Sequence, residues 1–222
     1  MSENVKPNSL QAWILAARPK TLTAASIPVM IGCALAEAHG HFHAIPAVLC
    51  FLFAFLMQID ANFINDLYDF LKGSDREDRL GPERACAQGW ISPKEMKRGI
   101  LLTTILAGAS GLGLLFYSGW EMIPVGIACI IFAYLYTKLA YQGWGDLLVL
   151  VFFGFVPVGC TYYVMAHTWN LPVTIASLAS GLVIDTLLMI NNFRDREQDK
   201  ISGKRTLVVR FGAKAGLIIY FF

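Results

Sequence analysis

Two clusters of asparagine and aspartate carry the residues best suited to chemistry in this 222-residue sequence. The first cluster follows an apolar run and contains Asn62, Asn65, Asp66 and Asp69, with Asp75 a few residues farther on. Because successive residues of an α-helix turn by about 100°, the first four side chains fall within about a 100° arc. The spacing therefore predicts a single polar helix face.

The second cluster also follows an apolar run, and its Asn192, Asp195 and Asp199 recur at spacings of three and four. Those spacings place the three side chains on one helix face. Asp185 lies on the same face two turns deeper, where it either contacts a substrate in a cavity or packs against a neighbouring helix. Asp60 points about 160° away from the first polar face, so we expect it to form an interhelical hydrogen bond.

Paired carboxylate faces beside basic residues indicate a site for magnesium and a polyphosphate. Mg²⁺ takes one or two carboxylates, keeps several waters and completes its shell with phosphate oxygens. The predicted metal ligands, whose four carboxylates are also the predicted catalytic residues, are Asn65, Asp66, Asp69, Asp195 and Asp199. The remaining phosphate charge needs cations, and the predicted diphosphate-binding residues are Lys72, Arg84, Lys138, Arg194 and Lys204. The predicted supporting residues are Asn62, Asp75, Asn192, Tyr136 and Asp185.

The composition requires membrane helices to position these clusters. Hydrophobic residues make up 56% of the chain and charged residues only 15%, and the mean hydropathy is +0.54. These values exclude an ordinary soluble globule. The apolar stretches that approach the length of about 20 residues needed to cross a bilayer are 21–38, 44–64, 100–117, 120–136, 147–166 and 171–190. The predicted fold is an all-α, polytopic transmembrane helical bundle of six full spans, with the start of a seventh near Ala215.

The 18 Lys and Arg residues all fall on alternate connections between the predicted spans. Three precede the first span, the two long loops carry seven each and Lys138 stands alone, whereas the other three loops carry none. By the positive-inside rule, the N-terminus and both acidic clusters face the cytoplasm. The lipid bilayer is therefore an expected partner, and no nucleic-acid partner is expected.

The clusters and their surroundings resemble the UbiA superfamily of intramembrane prenyltransferases, and within it the naphthoate branch that makes menaquinone precursors. The branch pattern Asn-Asp-x2-Asp-x3-Gly-x-Asp is met from Asn65 to Asp75, with Gly73 where the wider superfamily has an aspartate. The segments 18–21, 78–84 and 191–207 are also similar to this branch, whereas 136–137 and 143–146 are looser matches. The resemblance covers about residues 10–216, nearly the whole chain.

This resemblance implies a Mg²⁺-dependent transfer of a long polyprenyl group from a polyprenyl diphosphate to 1,4-dihydroxy-2-naphthoate. It implies that the acceptor loses its carboxyl group as CO2 and yields demethylmenaquinone, at a bacterial-type inner (plasma) membrane. It also implies nine helices around a central cavity that opens to lipid. We therefore expect residues 1–222 to form a single domain that is incomplete at its C-terminus.

The sequence leaves three alternative functions open. A prenyltransferase for another aromatic acceptor, such as hydroxybenzoate, homogentisate or haem, needs the same donor site. An ion-coupled transporter also carries intramembrane acids, although the dense clusters here lie at one end of the predicted spans. An inactive remnant is the third alternative, suggested by the end of the sequence at Phe222.

Overall fold

The computed structural model describes residues 5–74 and 81–221. Within these ranges the regular elements are helices, and they follow one another along the chain with short connections. The α-helices are α1 (Leu10–Ala17), α2 (Pro19–Ala38), α3 (Ala44–Lys72), α4 (Pro93–Ser118), α5 (Ile123–Tyr141), α6 (Gly145–Val149), α7 (Thr161–Ala166), α8 (Leu171–Arg194), α9 (Arg196–Ile201) and α10 (Leu207–Phe221). A 3₁₀ turn, Trp120–Met122, leads into α5, and a π-helix, Leu150–Cys160, joins α6 to α7.

Among the described residues, six helical stretches are long and apolar enough to cross a membrane, which confirms the predicted fold class. These stretches are Pro19–Ala38, Ala44–Lys72, Pro93–Ser118, Trp120–Tyr141, Gly145–Ala166 and Leu171–Arg194. Large apolar side chains on their outer faces are exposed, for example Phe116 at 91% and Leu112 at 63%. An apolar exterior of this kind suits contact with lipid.

Helix α3 continues beyond the apolar stretch 44–64 to Lys72, so the first acidic cluster lies on this helix, as its spacing predicts. Gly73 follows in the left-handed conformation and caps the helix through its backbone N–H, a common way for helices to end. At 1.5 Å per residue the helix is about 44 Å long, against about 30 Å for the hydrocarbon core of a bilayer. The last turns, which carry the first acidic cluster, therefore have room to extend beyond the apolar part of the membrane.

The seventh apolar segment is the second part of helix α10. This helix begins at Leu207 and its backbone breaks at Gly212, where φ is 85° and ψ is 167°, so the segment predicted from near Ala215 follows the break. Glycine adopts this positive φ without the steric cost that a side chain brings. The helix packs against α8 and α9, so it lies beside the second acidic cluster.

A buried apolar cluster supports the acidic end of α3 from the side of α1 and α4. Its members, contributed by α1, α3, α4 and the 85–91 segment, are Ala12, Ala16, Phe63, Ile64, Leu67, Ala85, Cys86, Trp90, Ile91, Met96 and Ile100. Trp13 packs edge-on against Phe63, with 5.4 Å between ring centroids. Gly99 makes room for this indole, because a Cβ at that position would lie 2.5 Å from the Trp13 ring.

The π-helix crosses α8 at very short range. A Cβ added to Gly154 would lie 2.5 Å from the Ser177 carbonyl oxygen, and one added to Gly181 would lie 2.9 Å from the Leu150 carbonyl oxygen. Small residues allow the backbones of membrane helices to approach in this way. The crossing therefore fixes α6 and the π-helix relative to α8.

Asp60 forms the interhelical hydrogen bonds that its position predicts. Its side chain is fully buried and accepts hydrogen bonds from the hydroxyl groups of Thr103 and Thr104 on α4. The Thr104 hydroxyl also pairs with that of Tyr134 on α5 at 2.9 Å. Asp60 thus joins three helices, with both carboxylate oxygens satisfied.

Candidate active site

The C-terminal turns of α3 present Asn65 and Asp69 towards α5. The Thr137 hydroxyl donates a hydrogen bond to the side-chain oxygen of Asn65. One turn farther, the Tyr141 hydroxyl donates to Asp69 Oδ1 at 3.1 Å and contacts Ser74 Oγ at 2.9 Å. The polar face predicted for α3 is therefore turned into the protein, and residues of α5 hold its side chains in place.

Basic residues lie directly against this face. Arg84 Nη2 forms a 2.8 Å ion pair with Asp69 Oδ2, and both side chains are nearly buried. The ammonium group of Lys72 lies 3.2 Å from the centroid of the Tyr141 ring, within range of a cation–π interaction. Two of the predicted diphosphate-binding cations thus contact the first cluster or the tyrosine that holds it.

Asp66 has different surroundings from those predicted for a metal ligand. Its two carboxylate oxygens accept hydrogen bonds from the backbone N–H groups of Ala85 and Cys86, at 2.8 and 2.9 Å, and the residue is 1% exposed. Asn62 is also committed elsewhere, because its amide donates to the Ala17 carbonyl oxygen at 2.9 Å. Both side chains anchor neighbouring segments, and Asp66 holds the turn that carries Arg84.

The second cluster lies at the junction of α8 and α9. Helix α8 ends at Arg194, whose guanidinium contacts both oxygens of Asp195 at 2.6 Å. Asp199 follows one turn later on α9, and Lys204 Nζ lies 3.4 Å from its Oδ1. Asp199 Oδ2 is buried and has no hydrogen-bond partner among the described residues.

Asp199 is also the point at which the two clusters interact. Burial raises the pKa of its carboxyl above the usual range, and the charges of Asp195 and Asp69 act in the same direction. Lys204 opposes them. A bound cation would relieve this repulsion, because a nearby positive charge favours the ionised carboxylate.

Residues of both clusters line one cavity of about 730 Å³, called here the polar cavity. The predicted site residues on its wall are Asn65, Asp69, Lys72, Arg84, Tyr136, Asn192, Arg194, Asp195, Asp199 and Lys204. Four predicted residues are described by the structure but are not on this wall: Asn62, Asp66, Lys138 and Asp185. Lys138 is exposed, so its predicted contact with diphosphate stays a prediction. Asp75 lies outside the described residues.

A second, apolar cavity of about 430 Å³ adjoins the first. It lies between α2, α3, α4, α5 and the π-helix, and its wall includes Val29, Phe53, Leu115 and Phe152. Tyr136 lines both cavities, so it marks the place where they adjoin. The site therefore combines a charged chamber with an apolar one, an arrangement that suits an amphiphilic molecule.

The oxygen-rich wall fits Mg²⁺ in one particular manner. Among the described residues, no three His, Cys, Asp or Glu side chains converge to enclose a metal by themselves. Mg²⁺ does not need such a cage, since it commonly binds through one or two carboxylates together with water and substrate phosphates. The buried, unpartnered Asp199 Oδ2 provides a suitable oxygen.

The sequence of the chain matches a family of known proteins. The model of the UbiA prenyltransferase family matches residues 25–222 of the chain. The chain belongs to this family. Membership of this enzyme family identifies the chain as a prenyltransferase and decides against the ion-coupled transporter.

Individual relatives resemble nearly the whole chain. It is 39% identical to a 1,4-dihydroxy-2-naphthoate octaprenyltransferase of Haemophilus influenzae, covering 99% of this chain and 75% of that protein. It is 41% identical to the 1,4-dihydroxy-2-naphthoate octaprenyltransferase of Escherichia coli, covering 91% and 69% of the two chains. A solved structure of digeranylgeranylglyceryl phosphate synthase superposes with a TM-score of 0.65 at 25% identity, covering 96% of this chain and 72% of that one.

Sequence reasoning missed several residues that the fold brings to this UbiA-type site. Residues on the wall of the polar cavity that were not predicted as site residues include Arg18, Ser74, Thr137, Asp146 and Gln198. Asp146 had a usable signal, since it is an acidic residue at the start of an apolar span, directly after Gly145. The role of Thr137 had no such signal, because it depends on which turn of α5 lies opposite Asn65.

Proposed function

We propose that this prenyltransferase transfers a long polyprenyl group from a polyprenyl diphosphate to 1,4-dihydroxy-2-naphthoate, in a Mg²⁺-dependent reaction. One observation carries the proposal: carboxylates from both clusters and several cations line a single polar cavity that adjoins an apolar one at Tyr136. A diphosphate fits the first cavity and an isoprenoid chain fits the second. The acceptor is suggested by the relatives in Haemophilus influenzae and Escherichia coli, both of which bear the name of this reaction.

In this proposal, one or two of the carboxylates of Asp69, Asp195 and Asp199 would hold Mg²⁺ together with the diphosphate, and Asn65 and Asn192 would supply neutral oxygens. When bound, the metal withdraws charge from the diphosphate and makes it a better leaving group. Asp66 is left out of this ligand set, because it does not line the polar cavity and its oxygens bind the backbone N–H groups of Ala85 and Cys86 instead.

The basic residues of the cavity stabilise the diphosphate as it leaves. Lys72, Arg194 and Lys204 all lie on the cavity wall, and each already contacts a ring or a carboxylate of the site. Preorganised charges of this kind stabilise developing negative charge without reorganisation during the reaction. Arg84 contributes both directly and through its ion pair with Asp69.

The reacting carbon of the donor becomes an electron-poor allylic centre as its bond to oxygen breaks. The apolar cavity keeps water away from this centre, which prevents hydrolysis of the donor. Tyr136 presents an aromatic ring where the cavities adjoin, and a ring face stabilises nearby positive charge. The electron-rich naphthoate ring then attacks, and we propose that its carboxyl group leaves as CO2 to give demethylmenaquinol, the dihydroxy form of demethylmenaquinone.

We also propose that the site faces the cytoplasm of a bacterial-type inner membrane. The support is the distribution of the 18 Lys and Arg residues, which avoid every connection at the opposite end of the spans. The polar cavity opens at the basic end, among the C-termini of α3, α5 and α8. Water-soluble Mg²⁺ and diphosphate would then enter and leave from the cytoplasm.

The test uses membranes that contain the full-length protein, radiolabelled polyprenyl diphosphate, Mg²⁺ and the naphthoate labelled in its carboxyl group. We expect prenylated product and released CO2 in equal amounts, and no product with EDTA. Asp69→Asn and Asp199→Asn should each lower transfer at least a hundredfold, whereas the control Asp60→Asn, which alters a buried acid outside the site, should stay within threefold. Prenylation of hydroxybenzoate instead of the naphthoate would overturn the acceptor assignment, and activity of both site variants within threefold of wild type would overturn the metal site.

A further inference from the structure

The 145–160 segment and α8 pack antiparallel, in a register that is visible from their glycine contacts. Three residues of the segment lie against residues of α8: Gly145 against Leu188, Leu150 against Gly181 and Gly154 against Ser177. Each step forward along the segment is thus matched by a step backward along α8. In this register Asp146 and Asp185 occupy facing positions, and their carboxylates repel one another electrostatically.

Both of these carboxylates have an unsatisfied oxygen. The Oδ1 atoms of Asp146 and Asp185 are each buried without a hydrogen-bond partner in the described part of the chain. Asp60, the other acid deep in the spans, differs from them, because threonine hydroxyls donate hydrogen bonds to both of its carboxylate oxygens. Buried polar groups are nearly always hydrogen-bonded, and unpartnered acids within a membrane span indicate function. The pair therefore suits a ligand that donates hydrogen bonds.

The surroundings of the pair indicate which ligand this is. Asp146 lies on the wall of the polar cavity. Tyr136, which lines both cavities, interacts electrostatically with Asp146 and with Asp185. If the diphosphate occupies the polar cavity and the isoprenoid chain the apolar one, the reacting carbon lies beside Tyr136, in the cavity whose wall carries Asp146. The ring of the acceptor must then approach this same place.

We propose that Asp146 is the catalytic residue that binds a ring hydroxyl of the aromatic acceptor and takes its proton during transfer. Asp185, which does not line the polar cavity, is a positioning residue that keeps the Asp146 carboxylate oriented towards the acceptor. This inference rests on the proposed function and extends it from the donor to the acceptor. A dihydroxylated ring supplies the hydrogen-bond donor that the Asp146 oxygen lacks.

The chemical step balances with these groups alone. The hydroxyl proton moves to Asp146, and the electron pair of its O–H bond forms a carbonyl at the ring oxygen. The ring carbon that bears the carboxyl group then forms the new C–C bond, while the C–O bond of the donor breaks and its electrons leave with the diphosphate. Loss of CO2 returns an electron pair to the ring, and Asp146 gives the proton back to the ring oxygen.

The charged and titratable groups that face Asp146 affect the pH dependence that a variant at this position should show. They come from three packed elements: Tyr136 on α5, Asp185 on α8, and Lys204 in the segment between α9 and α10. Replacing Asp146 by asparagine keeps its size and one oxygen but removes the base. The acceptor must then lose its proton to water, so the rate should depend on the fraction of acceptor that is already ionised.

The experiment compares wild type, Asp146→Asn and Asp185→Asn in the full-length protein. We expect Asp146→Asn to lower kcat at least a hundredfold near pH 7, and to regain about tenfold per pH unit towards the pKa of the acceptor hydroxyl. Asp185→Asn should raise the KM for the acceptor more than tenfold with a smaller loss of kcat. Asp60→Asn should resemble wild type in both constants.

Binding of a non-hydrolysable thiolo-diphosphate analogue of the donor separates this inference from the proposed function. Both variants should bind the analogue with Mg²⁺ within threefold of wild type, which also shows that they fold. If wild type transfers the prenyl group and Asp146→Asn does so at a similar rate, or with a flat pH profile, the role of Asp146 is refuted. Failure of wild type itself to prenylate the naphthoate would instead refute the proposed function.

Discussion

The structure predicts that Asp66 stabilises a turn and does not bind the metal, and the substitution Asp66→Asn tests this. Asparagine keeps one acceptor oxygen, so the N–H of either Ala85 or Cys86 loses its partner and faces an N–H group instead. Hydrogen bonds to a charged group contribute about 1.5–3 kcal/mol each. Because Asp66 is 1% exposed, water cannot replace the lost bond without opening the turn.

The expected effect on opening of the turn follows from these energies. A loss of roughly 2–3 kcal/mol increases the population of the open turn about 30- to 140-fold, at about 1.4 kcal/mol per factor of ten. Cys86 reports on this opening directly, since its thiol lies in the same turn and the residue is 4% exposed. A membrane-permeant maleimide should therefore label Cys86 faster by about the same factor.

The assay needs Cys86 as the only thiol. The other cysteines, which lie in apolar helices, are replaced by alanine in the background variant: Cys33, Cys50, Cys129 and Cys160. Labelling rates are compared with and without Asp66→Asn, and the Mg²⁺ concentration for half-maximal transfer is measured in both. We expect faster labelling with that concentration changed less than threefold. Unchanged labelling together with a tenfold higher requirement for Mg²⁺ would refute the anchoring role and restore Asp66 as a ligand.

The remaining predictions concern the packing of α8, the hydrogen bond from Tyr141 to Asp69, and the orientation of the protein in the membrane. Gly181→Ala should lower the unfolding temperature by several degrees through overpacking, because a Cβ there meets the Leu150 backbone. The control Gly108→Ala should leave the unfolding temperature unchanged, because there is open space around Gly108. Equal shifts for the two variants in a thermal scan would contradict the tight crossing. Tyr141→Phe removes the hydrogen bond to Asp69 but keeps the ring under Lys72, so transfer should fall about tenfold with little change in stability, and an unchanged kcat would show that this bond is dispensable. In right-side-out vesicles, Lys200→Cys should resist an impermeant maleimide until the vesicles are opened, and prompt labelling in sealed vesicles would reverse the proposed orientation.

Much of the fold can be predicted because a membrane span needs about 20 apolar residues and little else. The number and order of the spans follow from that requirement. The π-helix at 150–160 cannot be predicted in this way, since the segment is apolar on every side and shows no period to measure. Likewise α1 is only eight residues long, and its position depends on Trp13 packing against Phe63.

The first cluster could be predicted because Asn65 and Asp69 share one helix, α3, and their spacing places them on one face. Asn192 and Asp199 also line the cavity, but they lie on two helices, since α8 ends at Arg194 and α9 begins at Arg196, and the spacing does not reveal that break. The role of Asp66 could not be predicted in the same way, because its partners are backbone N–H groups 19 and 20 residues away that leave no mark in the sequence.

The pairing of Asp146 with Asp185 could not be predicted from the sequence for a related reason. The two residues face one another because the 145–160 segment crosses α8 in one particular register. That register depends on backbone contacts at Gly154 and Gly181, which spacing along either helix does not reveal.

In the proposed mechanism, both acidic clusters bind the same metal–diphosphate unit. The most direct measurement is Mn²⁺ binding in place of Mg²⁺, followed by electron paramagnetic resonance, in the presence of the non-hydrolysable donor analogue. Wild type, Asp69→Asn, Asp199→Asn and the control Asp60→Asn are compared as full-length proteins. We expect one substitution in either cluster to weaken Mn²⁺ binding at least tenfold, whereas the control should not weaken it. Tight binding that survives the loss of either carboxylate would contradict a shared site.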